Sequence, residues 1–345
     1  MDRIVLAGAA QPGMKHRQGL FRLAEGGSEW RRVSRGLPEE PEIRALGFVG
    51  DKAYAGTQAG PYVSEDGGES WRSLNLPSEE RTTWSVLARP GDPDTLYAGT
   101  TGTAIYRSTN GGARWERLRP AVPEGHCDMG FATRVIRMTA DPSAPDEIYA
   151  GLEVGGVLRS LDGGDTWESC NADLLRLAGE EHLKSAIGSD MESEGMMDSH
   201  SLTISPALPG TVFLATRMGL FRSDDRGETW RELGIGNYSP LTYARDVTVS
   251  RHDPKVLFGA FSKAATSNAG SLWRSTDLGE SWERFDNGVD VNSTLMIVAE
   301  SASDPDRVWC GARGGRTFGT EDGGGNWAQI ELPDEVEGVY AMAAA

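Results

Sequence analysis

The sequence predicts an all-β fold: a seven-bladed β-propeller of four-stranded antiparallel blades, closed by a C-terminal strand that joins the N-terminal blade. Three observations predict it. The first is an eight-residue pattern, Ser/Thr-x-Asp-x-Gly-x-x-Trp. It occurs at Ser64/Asp66/Gly68/Trp71, Ser160/Asp162/Gly164/Trp167, Ser223/Asp225/Gly227/Trp230, Ser275/Asp277/Gly279/Trp282 and Thr320/Asp322/Gly324/Trp327. One copy carries Asn for Asp (Ser108/Asn110/Gly112/Trp115), and a worn first copy keeps Gly27 and Trp30 with Glu25 in the acidic place. The copies lie roughly 40–65 residues apart, a period that signals one supersecondary unit per copy. The second observation is a four-strand frame around each copy. The third is the pair of chain ends, which each hold part of one blade.

The fourth repeat illustrates the frame. Thr133 to Thr139 reads as strand A and Glu147 to Leu152 as strand B. Gly156 to Ser160 reads as strand C and Thr166 to Ser169 as strand D. Between A and B lie Pro-Asp turns, as at Asp92-Pro93-Asp94 and Asp304-Pro305-Asp306, where Pro fixes φ and Asp caps locally. Four-stranded units repeated radially make a propeller. The chain opens on a strand B, Arg3 to Gly8, and ends on a lone strand, Val339 to Met342, which supplies the missing strand A. Residues 1–345 then form a single domain, with 171–199 inserted between blades four and five.

The recurring pattern is a turn clasp. The Asp oxygen accepts N–H groups of its own turn, Gly permits positive φ, and Trp buries a large ring. It resembles the Asp-box, or BNR-repeat, family, which includes sialidases, sortilin-type receptor domains and bacterial glycosyl hydrolases. The resemblance covers the whole chain and implies that the Asp boxes hold turns and perform no chemistry. It further implies that strand A lines the central channel, with the D-to-A and B-to-C loops on one face and the boxes on the other.

Composition narrows the function. The formal net charge is −17, which argues against binding a nucleic-acid backbone. No run of about twenty apolar residues spans a membrane. The first residues are too weakly apolar for a signal peptide. The three cysteines, Cys127, Cys170 and Cys310, form no metal-type pair. A reducing, cytoplasmic setting is the expectation.

Candidate site residues fall at the starts of A strands and the ends of B strands. The A starts carry Arg44, Trp84, Arg134, Asp198 with His200, Tyr243 with Arg245, and Asn292; the B ends carry Gln58, Glu153, Arg217 and Arg313. Four histidines, His16, His126, His182 and His200, fall on the same face. So do the long loops 119–132, 171–199 and 262–271, and long loops on a rigid scaffold often carry function. Within 171–199, Leu174, Leu177, Leu183 and Ile187 give one helical stripe, with Asn171 or Asp173 as N-cap and Gly188 past the end. The acidic, Met-rich stretch 190–197 reads as a mobile cover.

These residues point to a small-molecule enzyme, a hydrolase or lyase, acting on an anionic substrate at the channel mouth. His200, Glu153 and Tyr243 are the catalytic candidates, with His200 moving the proton. Arg134, Arg217, Arg245, Arg313 and Trp84 are the substrate-binding candidates, because guanidinium forks match carboxylate or phosphate. The competing assignment pairs Arg134, Arg217 and Arg245 with Glu153, Asp198 and Asp246. No cofactor is assigned; His126, His182 and His200 are ligand types for a divalent metal, but their spacing matches no metal pattern. The partner expected is a small anionic molecule, with neither nucleic acid nor membrane. The alternative is a noncatalytic protein-interaction or ligand-binding scaffold. A true sialidase ranks last, since the Phe/Tyr-Arg-Ile-Pro motif is absent and Phe21-Arg22-Leu23 comes nearest.

Overall fold

A computed structural model describes residues 4–10, 18–24, 26–77, 79, 81–120, 122–333 and 336–345. Glu25 of the worn box and His16 lie outside the described residues. The described chain forms seven four-stranded sheets, each antiparallel and in the order A-B-C-D from channel to rim. In blade four the strands are Val135–Asp141, Ala144–Leu152, Gly156–Ser160 and Glu168–Ser169. The outer D strand is short in most blades, which leaves little open sheet edge.

Blade one is closed from both ends of the propeller. The strand Val339–Ala344 lies against Ile4–Ala9, pairing Val5 with Ala344, Leu6 with Ala343, Ala7 with Met342 and Gly8 with Ala341. The core is divided among the clefts between neighbouring blades. Between blades five and six, for example, Phe213, Leu233, Val247, Leu257, Phe261 and Trp282 pack together. Sheets hydrophobic on both faces bury each face against the next blade, so no blade has a core of its own.

The recurring turns have one geometry. In blade five the Ser223 hydroxyl donates to Asp225 Oδ1 (2.8 Å) and accepts the Gly227 N–H (2.7 Å). Asp225 Oδ1 then accepts the Thr229 N–H (2.8 Å), and Oδ2 accepts the Thr229 hydroxyl (2.6 Å). Every oxygen of the carboxylate is therefore engaged inside its own turn. In blade four the Thr166 hydroxyl and N–H lower the Asp162 carboxyl to about 2. Only Asn110 lacks the charge, and it still accepts the Arg114 N–H at 2.8 Å.

Some box tryptophans also join blades, while Trp71, Trp167 and Trp282 donate within their own turns. The Trp230 indole N–H donates to the Cys170 carbonyl of the preceding blade at 3.1 Å, and Trp115 reaches Leu74 in the same way at 2.8 Å. Trp230 is buried in the blade four–five core. Trp230→Ala should cost roughly 3–5 kcal/mol, the usual penalty for deleting a buried large aromatic. Chemical denaturation checks this, and a loss below about 1 kcal/mol would show that the clasp does not bind neighbouring blades.

The 171–199 insertion differs from the sequence expectation. One helix, α1 (Ala172–Ala178), ends at Gly179, and a 3-10 turn follows at Glu181–Leu183. Ile187 leaves the apolar stripe and is 69% exposed. Asn171 makes no side-chain cap; its amide instead joins Val157 N–H, Glu124 O and Gly155 O. Gly156, at φ +71°, leaves the space that this amide fills, since a Cβ there would sit 2.2 Å from Asn171 Oδ1. Of the stretch 190–197, residues 190–192 are exposed and 194–197 are packed. Met196 and Met197 are fully buried in a second short helix, α2 (Glu194–Met197).

Candidate functional site

Each A strand carries one register irregularity near its channel-entry end. The residues skipped by the pairing are Arg44, Trp84, Ile136, His200, Arg245 and Met296 in blades two to seven. In blade one it is Tyr340. A bulge re-aims the side chain it carries. All seven line one continuous space at the mouth of the channel.

The cavity there measures about 250 Å³, close to the lower end of small-molecule pockets, roughly 300–1,000 Å³. The eight sequence-predicted site residues all border it: Trp84, Arg134, Glu153, His200, Arg217, Tyr243, Arg245 and Arg313. Asp198, Ile136, Met296 and Tyr340 border it as well. The apolar Ile136 and Met296 read as core in the sequence, and Tyr340 reads as part of the closing strand. Aligning the seven A strands by their entry positions is the signal that would have found them. Gln58 and Asn292 do not reach the cavity; Gln58 holds the Glu42 N–H and the Glu40 carbonyl, and Asn292 donates to Asp290. Below the cavity Arg137 of blade four reaches Asp246 of blade six (3.4 Å), whose other oxygen accepts the Val298 N–H of blade seven.

The two cavity carboxyls have opposite environments. Asp198 accepts from Arg217 Nη2 and Nε (2.7 and 3.2 Å) and lies 3.3 Å from His200 Nε2. Burial opposes its ionisation, but His200 and Arg217 outweigh it and hold the carboxyl well below the usual range. Glu153 accepts one bond, from Arg134 Nη1 at 2.9 Å, while its Oε2 is buried without a partner. Burial raises its carboxyl above the ordinary value, against the pull of Arg134 and with the push of Asp198. The next residue, Val154, has φ +49°, an outlier for a β-branched side chain and a store of local strain. Its carbonyl accepts the Cys127 N–H, and the Glu153 N–H donates to Arg134 O, so Glu153 is fixed from both sides.

Both ring nitrogens of His200 are engaged. Its Nδ1 lies 2.8 Å from the Ala244 carbonyl, which can only accept, so Nδ1 carries a proton. Nε2 faces the Tyr243 hydroxyl at 3.2 Å. Burial raises the Tyr243 hydroxyl above its ordinary value, so Tyr243 is neutral, and Nε2 lies between that hydroxyl and Asp198 Oδ2 at 3.3 Å.

The arginines divide into two groups. Arg134 and Arg217 pair with Glu153 and Asp198, within one blade each rather than across blades. Arg44 pairs with Glu42 and lies 3.9 Å over the Trp84 ring, which Arg134 also covers at 4.5 Å. Asp246 engages Arg137, not Arg245. Among the described residues, the Arg245 side chain makes no hydrogen bond or ion pair. Arg313 donates from its side chain to the Ala265 carbonyl and meets no carboxylate among the described residues. The metal candidates separate: His126 meets Thr133, His182 meets Glu232 at the exposed surface, and His200 lies in the cavity. No group of three His, Cys, Asp or Glu is placed to hold a metal ion among the described residues. No helix among them is long and apolar enough to cross a membrane.

Fold and site define a closed seven-bladed propeller with a polar, arginine-rich cavity at its mouth. No family model matches the chain, so the Asp-box turns stand as a structural resemblance. By sequence it is similar to a xyloglucanase of Acetivibrio thermocellus, 24% identical over 188 residues, covering 46% of this chain and 20% of that protein. An oligoxyloglucan-reducing end-specific xyloglucanase of Emericella nidulans is 24% identical over 266 residues, covering 73% of this chain and 29% of that one. The chain thus spans a fifth to under a third of the length of these relatives. Among solved structures, the GH74 xyloglucanase from Xanthomonas campestris superposes with a TM-score of 0.63 at 17% identity, covering 87% of this chain and 46% of that one. YCF48 from Cyanidioschyzon merolae gives a TM-score of 0.59 at 15% identity, covering 88% and 90% of the two chains. These likenesses establish the propeller fold.

Proposed function

We propose that the protein is a hydrolase of glycosidic bonds, acting at the channel mouth on a sugar unit that carries an anionic group. The weak sequence similarity to xyloglucanases supports the hydrolase class. The anionic substrate rests on one observation: Glu153, whose carboxyl is raised, shares the cavity with two guanidiniums, Arg245 and Arg313, that meet no carboxylate among the described residues. Two carboxyls shifted in opposite directions, Glu153 upward and Asp198 downward, suit the roles of acid and fixed charge in one site. Glu153 donates its proton to the leaving oxygen as the glycosidic C–O bond breaks. A water oxygen bonds to the anomeric carbon; its proton passes to Tyr243 while the Tyr243 proton passes to His200 Nε2. Asp198 stabilises the imidazolium so formed and holds Arg217. Arg245 and Arg313 bind the anionic group.

The test is a panel of oligosaccharides and aryl glycosides, neutral xyloglucan-derived and uronate-bearing, assayed for released reducing ends. Turnover should favour the anionic members. Arg245→Gln should raise KM for them about tenfold or more and leave neutral members unaffected. A preference for neutral xyloglucan fragments that ignores Arg245 would remove the anionic assignment and leave the hydrolase class. No turnover of any member would remove both.

A noncatalytic reading has one specific support. The chain matches YCF48 over nearly the whole of both molecules, and a second solved structure similar in fold is YCF48 bound to D1 peptide. In that reading Arg245 and Arg313 hold a peptide carboxylate, and Glu153→Gln leaves affinity intact.

A further inference from the structure

Seven large apolar side chains are more than a third exposed among the described residues, and four of them, Val122, Phe131, Ile187 and Met191, lie in two loops on the cavity face. Phe131 sits at the cavity edge. Its ring lies 5.3 Å from the Arg134 guanidinium that holds Glu153. The second loop approaches the first: a Cβ on Gly188 would meet Met129 Cε at 2.5 Å. It also neighbours Arg217, since a Cβ on Gly195 would meet the Met218 sulfur at 2.6 Å.

Ile187 is held out in water by a built support. The Glu194 carboxylate accepts the N–H groups of Ile187, Gly188 and Ser189 at 2.9–3.2 Å and the Ser189 hydroxyl at 3.0 Å. Glu194 itself is 1% exposed. A buried charge spent on fixing the loop beneath an exposed isoleucine favours a preorganised contact over a slack surface loop. The apolar edge belongs to the blade four and five sector, where Glu153 and Asp198 stand. Arg245 and Arg313, which meet no carboxylate among the described residues, belong to blades six and seven. Glu153 and Asp198, with Arg134 and Arg217 bonded to them, thus share the sector of the apolar edge, and Arg245 and Arg313 come from the next two blades.

We propose that the ligand is amphiphilic: an anionic unit seated against Arg245 and Arg313, bonded to an apolar or aromatic group that lies on Phe131 and Ile187. The inference rests on the anionic-glycoside reading and deepens it, since the bond between the two parts then falls beside Glu153. The occupant follows from continuity with the cavity and from its charge.

The probe is 8-anilinonaphthalene-1-sulfonate, an anionic aromatic dye, titrated fluorimetrically into the full chain. The expected result is one site, weakened about tenfold or more by Arg245→Gln and about threefold or more by Phe131→Ser or Ile187→Ser. Dye affinity that ignores Arg245 leaves an apolar patch alone and overturns the proposal. Affinity that ignores Phe131 and Ile187 leaves an anion site alone and overturns it equally. Melting curves confirm that each variant is folded, and Ile187→Ser, at the surface, preserves the test if Arg245→Gln does not fold. Dye binding needs no turnover. A protein that binds the dye in this pattern but cleaves nothing in the glycoside panel sinks the hydrolase reading alone. One that cleaves anionic glycosides but fails the dye pattern sinks the amphiphile alone.

Discussion

Removing residues 339–345 should abolish the cooperative fold. The deleted strand pairs with residues 5–9 of blade one. It also buries Val339, Met342 and four alanines in the clefts on either side. Burial of those side chains contributes roughly 5–9 kcal/mol as an upper estimate, comparable with the whole stability of a domain, about 5–15 kcal/mol. The loss extends past one blade. Ala345 N–H donates to Ile4 O, and the Ser301 hydroxyl of blade seven donates to the Ala345 carbonyl. Two sheet edges would then face solvent and invite association. Far-UV circular dichroism with heating, together with size-exclusion chromatography, reads the outcome. A truncated chain that stays monomeric and melts at the full-length temperature would refute the closure.

Glu153→Gln should lower kcat for anionic glycosides about 100-fold or more, as expected for losing a general acid, and leave KM little changed. Gln retains the carbonyl oxygen that accepts from Arg134 and lacks only the proton to give. The sign of the pH effect follows from the raised carboxyl. Activity needs the protonated form, so it falls as pH rises through the folded value, and the variant loses that limb. Stability moves the other way. A carboxyl raised on folding weakens the native state above the folded value and recovers it as pH falls through that value. The variant should therefore be as stable as the parent at neutral pH or more so, a trade of stability for activity. Asp198 has the opposite sign: its depressed carboxyl contributes stability above the ordinary carboxylate range, lost as pH falls through the folded value. A Glu153→Gln protein with unchanged kcat would exclude Glu153 as the acid.

The blades were legible because the clasp is local chemistry. Ser223, Asp225, Gly227 and Thr229 satisfy one another within seven residues, so the sequence displays the turn directly. The polar cavity residues were legible for a related reason: Trp84, Glu153 and Arg245 are polar or bulky side chains at strand ends that would otherwise be small. Ile136 and Met296 were not, since an apolar residue one place out of register looks like a core residue. The insertion was misread because the spacing of Leu174 and Leu177 continues to Leu183 and Ile187. What breaks it is tertiary: Gly179 stops the helix, and the buried Glu194 carboxylate takes the N–H groups that another turn would have used.

The bulged positions have an evolutionary consequence. Arg44, Trp84, Ile136, His200, Arg245, Met296 and Tyr340 stand on seven equivalent backbone sites, and the pairing on both sides of each is made by neighbours, not by the bulged residue. Their identities are thus free of the strand pairing, although Met296 and His200 are also packed in the interior. Substitution can rewrite the chemistry of the channel one blade at a time, while the clasps on the far face keep the scaffold unaltered. Relatives of this chain are then expected to diverge fastest in ligand choice at these seven places, with their propellers superposable throughout.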